Sequence, residues 1–207
     1  MTRLVVPGIP SPLDPSARST WSVDALGRVQ AAAGPLTDVF IDPADRGGQV
    51  GSATLLNAPT LLVDAPEGDF QLTARVGVQF ASTFDAGVLL VWFDERHWAK
   101  LCFEYSPAHE PMVVSVVNRE VSDDANAFVV PAHDVWLRIS RVDGVFGFHA
   151  SDDGRTWALV RVFALESPGA RLRVGFEAQS PTGDGCAVTF TDARLTRHRL
   201  ADMRDGS

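Results

Sequence analysis

The sequence predicts an all-β chain folded as a jelly-roll sandwich of two antiparallel sheets. Three observations carry that prediction. Apolar and polar residues alternate with period two over many short runs. No segment longer than about ten residues keeps a 3.6-residue apolar stripe free of Gly or Pro. Clusters of Asp and Gly separate the runs, as tight turns require. With 207 residues and 45% hydrophobic content, the chain can fill the core of one sandwich-sized domain.

In chain order, residues 1–15 lack periodicity and contain Pro7 and Pro10, so they read as an N-terminal extension lying along the surface or fraying. Short strands are expected near Trp21–Asp24, Arg28–Ala32 and Leu61–Asp64. Longer ones follow at Gln71–Phe80, Gly87–Phe93, Ala99–Tyr105 and Met112–Asn118. The last group is Trp136–Arg141, Val145–Ala150, Thr156–Phe163, Arg171–Ala178 and Ala187–Arg197. Hairpins are predicted at Asp64–Asp69, Asp94–His97, Val142–Gly144 and Asp152–Gly154, where Gly accepts positive φ and Asp bonds its own backbone. Ser122–Asn126 reads as a polar loop tip. A single domain over 16–199 and a charged tail over 200–207 complete the division.

The net charge of −8 and the scattered arginines leave no basic stripe for a phosphate backbone, so no nucleic acid partner is expected. No run of apolar residues is long enough for a membrane helix, and the N-terminus lacks an export signal, which predicts a cytoplasmic protein with no membrane partner. Cys102 and Cys186 match no redox or metal spacing and read as free, mostly buried thiols. The five histidines fall in different elements without ligand spacing, and no nucleotide or hydrolase fingerprint follows a strand. Neither a metal nor another cofactor is expected. Ser151–Trp157 has the pattern of an Asp-box turn, whose role is to close a hairpin.

The most informative stretch is Ala86–Tyr105, two apolar strands around a charged turn. Its second strand places Lys100, Cys102 and Glu104 on one face and Leu101 and Phe103 on the other. Lys100 is the only lysine of the chain. Ionisable groups in mid-strand are costly unless they pair or meet a ligand. Parity along the other strands offers Arg138, His149, Glu177 and Gln179 to the same concave face, with Leu101, Phe103, Leu137, Ile139, Phe146, Phe148, Val174 and Phe176 facing the core. Lys100 and Glu104 are about 13 Å apart along the strand and cannot pair with each other. The expected partners are Glu177 for Lys100 and Arg138 for Glu104, and Lys100 is expected to keep Glu104 ionised. Trp92 and Trp98 bracket the Asp94–His97 turn and could stack on a sugar ring.

The order of Trp21, Gly34–Phe40, Asp69-Phe70, Ala86–Asp94, Trp98–Glu104, His149–Trp157 and Val174–Pro181 resembles an uncharacterised concanavalin A-like family. That family is a domain of unknown function and includes a fungal protein named for regulation of enolase. The resemblance runs from Trp21 to Leu195, and its most specific block is D-x-x-x-W-x-K-x-x-x-E, here Asp94, Trp98, Lys100 and Glu104. It implies a jelly roll and no established activity. Where the family pattern leads one to expect an aromatic after Ser122-Asp123, this chain has Asp124. The resulting expectation is a non-catalytic domain that binds a carbohydrate or other small polar ligand through Lys100, Glu104, Arg138, His149, Glu177, Gln179, Trp92 and Trp98. A domain that binds a protein partner to regulate metabolism is the alternative. A glycoside hydrolase using Glu104 and Glu177 is third, since the E-x-D-x-x-E strand motif of sandwich glucanases is absent.

Overall fold

Residues 2–44 and 53–207 are described by a computed structural model. The first seven-stranded sheet runs β1 (Asp14–Pro15), β6 (Thr60–Asp64), β15 (Arg173–Gln179), β8 (Ala86–Asp94), β9 (His97–Tyr105), β10 (Pro111–Arg119) and β11 (Val121–Val129). The second runs β14 (Ala158–Ala164), β13 (Val145–Ser151), β12 (Asp134–Val142), β7 (Phe70–Gln79), β16 (Cys186–Thr196), β3 (Val29–Ala33) and β2 (Thr20–Val23). A small ribbon pairs β4 (Val39–Phe40) with β5 (Leu55–Leu56). All pairings are antiparallel, giving the jelly-roll sandwich. Among the described residues there is no helix long and apolar enough to cross a membrane.

Period-two alternation decides which side chains meet between the sheets. Leu89, Leu101, Phe103 and Phe176 of the first sheet face Leu72, Leu137, Phe148 and Phe190 of the second, all fully buried. Aromatic rings also meet across the sheets, tilted for Phe176 and Phe190 at 4.7 Å and stacked for Phe80 and Tyr105 at 5.0 Å. The β12–β13 hairpin closes on Asp143 (φ 50) and Gly144 (φ 83), the two left-handed residues that a tight turn between Val142 and Val145 needs.

Three local expectations are corrected. Asp64–Asp69 does not close a hairpin: it carries the chain from β6 in one sheet to β7 in the other. Both sides of β6 are already taken by β1 and β15, so the turn residues reverse the chain without supplying a partner. Ser122–Asn126 is not a loop tip but part of β11, an edge strand exposed along most of its length apart from Ser122, where polar residues erase the alternation. Residues 2–15 do not fray. Val6 and Leu13 are buried in the inter-sheet core, and Leu4 bridges Leu13. Irregularly spaced apolar side chains between prolines close one end of the sandwich, a pattern without period and so without a sequence signal.

Candidate functional site

The first sheet turns its other face toward a cavity, and strand parity selects the side chains there. Lys100, Cys102 and Glu104 of β9 share this face with Glu177 and Gln179 of β15, because the alternate residues Leu101, Phe103, Phe176 and Ala178 are committed to the core. Between β3 and β6 the chain crosses this face. It is pinned at one end by the Thr37–Ser180 bridge beside β15 and at the other by Ile41, which exchanges hydrogen bonds with Ser122 of β11 at 3.0 Å. Val39, Ile41 and Ala58 of the crossing segment bury against Val88, Trp98, Cys102 and Val114, so the apolar residues of the concave face hold the ribbon down.

The crossing segment delivers Asp38, the partner Lys100 requires. Lys100 Nζ donates to Asp38 Oδ1 at 2.7 Å and to Gln179 Oε1 at 2.8 Å. Gln179 Nε2 in turn donates to the Phe84 carbonyl at 3.1 Å, which fixes the amide orientation. Asp38 is positioned by its backbone: its N–H donates to Asn57 Oδ1, and its carbonyl accepts from Asn57 and Ala58. The Lys100 ammonium lies 5.8 Å from the Trp98 ring. Burial opposes its charge, but Asp38 and Glu177 outweigh that cost and hold its pKa above the usual lysine range.

The cavity measures about 280 Å³. Its polar wall comprises Asp38, Lys100, Glu104, Asp124, Gln179 and Thr182; Phe40, Leu55, Phe84, Val116 and Pro181 supply apolar surface. Glu104 is 7% exposed and makes no side-chain hydrogen bond among the described residues. Burial pushes its carboxyl up to about 8 against the pull of Lys100, and Asp124, Asp38 and Glu177 add repulsion. Asp124 is raised as well, first by burial. Glu177 is sealed beneath the ribbon, with neither carboxyl oxygen hydrogen-bonded, and burial pushes it up to about 8 despite Lys100 and a weak contact with the Val39 amide.

Of the residues singled out by sequence, Lys100, Glu104 and Gln179 line this cavity, whereas Glu177 lies behind it. Trp98 is fully buried under the ribbon, and Trp92 lines a separate depression on the ribbon's far side, with Glu95 and Arg173. Arg138 and His149 are not on this face. They belong to β12 and β13 of the second sheet and point outward from it, beneath residues 200–207. Parity separates a strand's core side from its outer side but cannot say which of two sheets the strand joins. The pairing expected between Glu104 and Arg138 is therefore absent, and Asp38 replaces Glu177 as the bonded partner of Lys100. Nor does Lys100 keep Glu104 ionised at neutral pH, because burial outweighs its attraction. Asp38, Asp124, Phe40 and Phe84 were missed as cavity residues. Asp38 and Phe40 lie in the 34–40 segment that carried the resemblance, and Asp124 is the departure from its pattern; Phe84 gave no signal.

The remaining motifs serve structure. Ser151 Oγ accepts from the Gly154 amide at 2.9 Å, and Asp153 Oδ1 accepts from Arg155 and Thr156, closing the β13–β14 turn. Gly154 lies against the Trp136 ring, while Trp157 stacks on Arg138 at 4.1 Å. Both cysteines are free and buried, and burial raises both thiols, Cys186 to about 12.

The fold and this face define a two-sheet jelly roll with a ribbon-bridged concave side. The chain belongs to the family described as Protein of unknown function (DUF1349), whose model matches residues 16–198. It is 36% identical over 127 residues to Regulation of enolase protein 1 of Saccharomyces cerevisiae, covering 60% of this chain and 63% of that protein, so the chain spans less than two thirds of that relative. A crystal structure of a Saccharomyces cerevisiae protein described as functionally unknown superposes with a TM-score of 0.74 at 27% identity, covering 89% of this chain and 98% of that one. The GH43 protein BlXynB from Bacillus licheniformis shares the fold with a TM-score of 0.69 at 13% identity, over 86% of this chain and 35% of that one.

Proposed function

We propose that the domain binds a small polar ligand of the carbohydrate class in the cavity at Lys100, Glu104 and Gln179, without transforming it. The observation that carries this reading is Glu104, a carboxyl with 7% exposure and no protein hydrogen-bond partner among the described residues, facing a cavity beside aromatic surface. Its oxygens open to the cavity, so hydrogen bonds that the protein does not supply are left for water or a bound ligand. Phe40 and Phe84 add the apolar faces on which a sugar ring packs, and the volume suits one or two small rings more than a long chain. Hydrolysis by Glu104 and Glu177 is disfavoured. Such a pair works with one carboxyl ionised and the other protonated, whereas here burial raises both to about 8 and the ribbon covers Glu177.

A second reading, a ligand-responsive regulator of metabolism in the cytoplasm, draws support from the likeness to Regulation of enolase protein 1. The binding reading is tested by amide chemical shifts on titration with glucose, xylose and small polar probes. At least one should perturb Phe84 and Gln179, and Glu104→Gln together with Phe84→Ala should remove the response. Failure of every probe to perturb these amides would refute it.

A further inference from the structure

We infer that the cavity selects a ligand carrying a positive charge, held at Glu104 with Asp124 adding attraction across the cavity and the ligand's apolar part against Phe40 and Phe84. This rests on the reading that the cavity binds a small polar ligand, and it adds the charge that ligand must carry.

The argument begins with charge counting. Among the described residues three acids, Asp38, Glu104 and Asp124, line the cavity, with Glu177 behind them, and the single base there is Lys100. Lys100 is already committed to Asp38 and Gln179 at 2.7 and 2.8 Å. Glu104 therefore has no cation of its own, although it is nearly as buried as Lys100. The groups facing Glu104 are Lys100 and Cys102 on its own strand, Asp124 from β11, Asp38 from the crossing segment and Glu177 from β15. Beside Glu104 and Cys102 the neighbouring strands β8 and β10 put apolar side chains on this face, Ala86, Val88, Met112 and Val114. Among the described residues, every ionisable neighbour of Glu104 apart from Lys100 is an acid or a thiol, and Arg161, beside Asp124, is paired with Asp123.

Such a site repels anions, including phosphorylated sugars, because three acids confront one base that is already neutralised. An uncharged ligand can hydrogen-bond to Glu104 only in its acid form, where a proton and not the ligand relieves the repulsion among the acids. A cation replaces that proton, pairing with ionised Glu104, and the Phe40 and Phe84 faces add cation–π attraction. Among the described residues no three His, Cys, Asp or Glu side chains converge as a metal site. The geometry therefore suits a molecular cation, such as an ammonium or guanidinium group on a small polar body.

The test pairs methylguanidinium with methylurea, nearly identical in shape and different in charge, alongside glucose as the uncharged ring. Methylguanidinium should perturb the Phe84 and Gln179 amides and bind about tenfold or more tightly than methylurea, a difference of about 1.4 kcal/mol. Its affinity should rise between about pH 6 and about pH 9 as Glu104 ionises, while that of methylurea stays flat. Glu104→Gln should remove both the preference and the pH dependence. Asp124→Asn, at an exposed position of the edge strand, should weaken the cation by about threefold. Equal or tighter binding of methylurea or glucose at these amides would overturn the charge inference and leave the binding reading standing. Methylguanidinium binding unchanged in Glu104→Gln would also overturn it, as general association with an acidic surface. No perturbation by any probe would remove both readings together.

Discussion

On the first sheet, Lys100, Glu104 and Gln179 look into a cavity; on the second, Arg138 and His149 lie under residues 200–207 of the same chain. Both clusters put ionisable side chains on outward positions of central strands. The first is organised by side chains, with Asp38 brought by the crossing segment to neutralise Lys100. The second is covered by backbone. Arg138 Nη2 donates to the Gly206 carbonyl at 2.6 Å, and the His149 Nε2 lies 3.0 Å from the Met203 carbonyl. Gly206 fits because a Cβ there would meet Arg138 Nη2 at 2.5 Å and Trp157 Cβ at 2.8 Å. Carbonyls satisfy donors without cancelling charge, so burial pushes Arg138 down to about 10 and His149 to about 4. Similar strand positions thus yield one cluster with room for a ligand and one filled by the chain itself.

The largest expected effect separates the clusters by the kind of partner each uses. Lys100→Met strands Asp38 and the Gln179 carbonyl in a buried site, and urea unfolding should show a loss of about 3–5 kcal/mol. Arg138→Met leaves only a carbonyl unpaired, and the loss should be about 1–2 kcal/mol. Equal losses would erase the distinction.

Next in size is pH dependence, where the clusters have opposite signs. The Glu104 and Glu177 carboxyls move from an ordinary value of 4.5 to about 8 on folding, so the folded chain holds their protons more tightly than the unfolded one. Their contribution to stability is full below about 4.5 and is lost as pH rises through 8. His149 moves from 6.5 to about 4, so its contribution is present above 6.5 and is lost as pH falls through 4. Glu177→Gln should flatten the alkaline decline in unfolding measured across this range. Removal of residues 200–207 should return the His149 imidazole toward 6.5 by NMR titration and flatten its share of the acid decline, leaving the alkaline limb intact. Were the tail deletion to change the alkaline limb instead, the two clusters would not be separate.

The smallest effect tests the ribbon as a partition. Trp92 lines the depression on the far side of the ribbon, so Trp92→Ala should leave probe binding at Phe84 and Gln179 unchanged within about twofold. A larger change would mean that the two sides communicate.

The sheets, most strand positions and the core face were legible because alternation directly encodes burial in a two-layer fold. Lys100 was legible as a site residue for a related reason: a lone ammonium amid Leu101, Cys102 and Phe103 must have a reason to be buried. Its partner was not. Asp38 lies 62 positions away on a segment with almost no regular structure, and only the path of that segment brings it to Lys100. Arg138 and His149 satisfied the same parity rule, but sheet membership depends on pairing between distant strands. That information resides in the topology, and local pattern does not carry it.

Strand β11 ends the first sheet with nine residues that could template an added strand from another molecule. Exposed Val121, Phe128 and Val129 make that edge adhesive, while Asp123 and Asp124 place two acids in its middle. Arg161 of β14, the facing edge of the second sheet, reaches across to Asp123 Oδ2 at 2.8 Å and to its carbonyl at 3.2 Å, occupying a backbone acceptor that an incoming chain would use. Acidification discharges Asp124 early because burial raises its pKa, leaving fewer charges to keep this edge from pairing with a second strand.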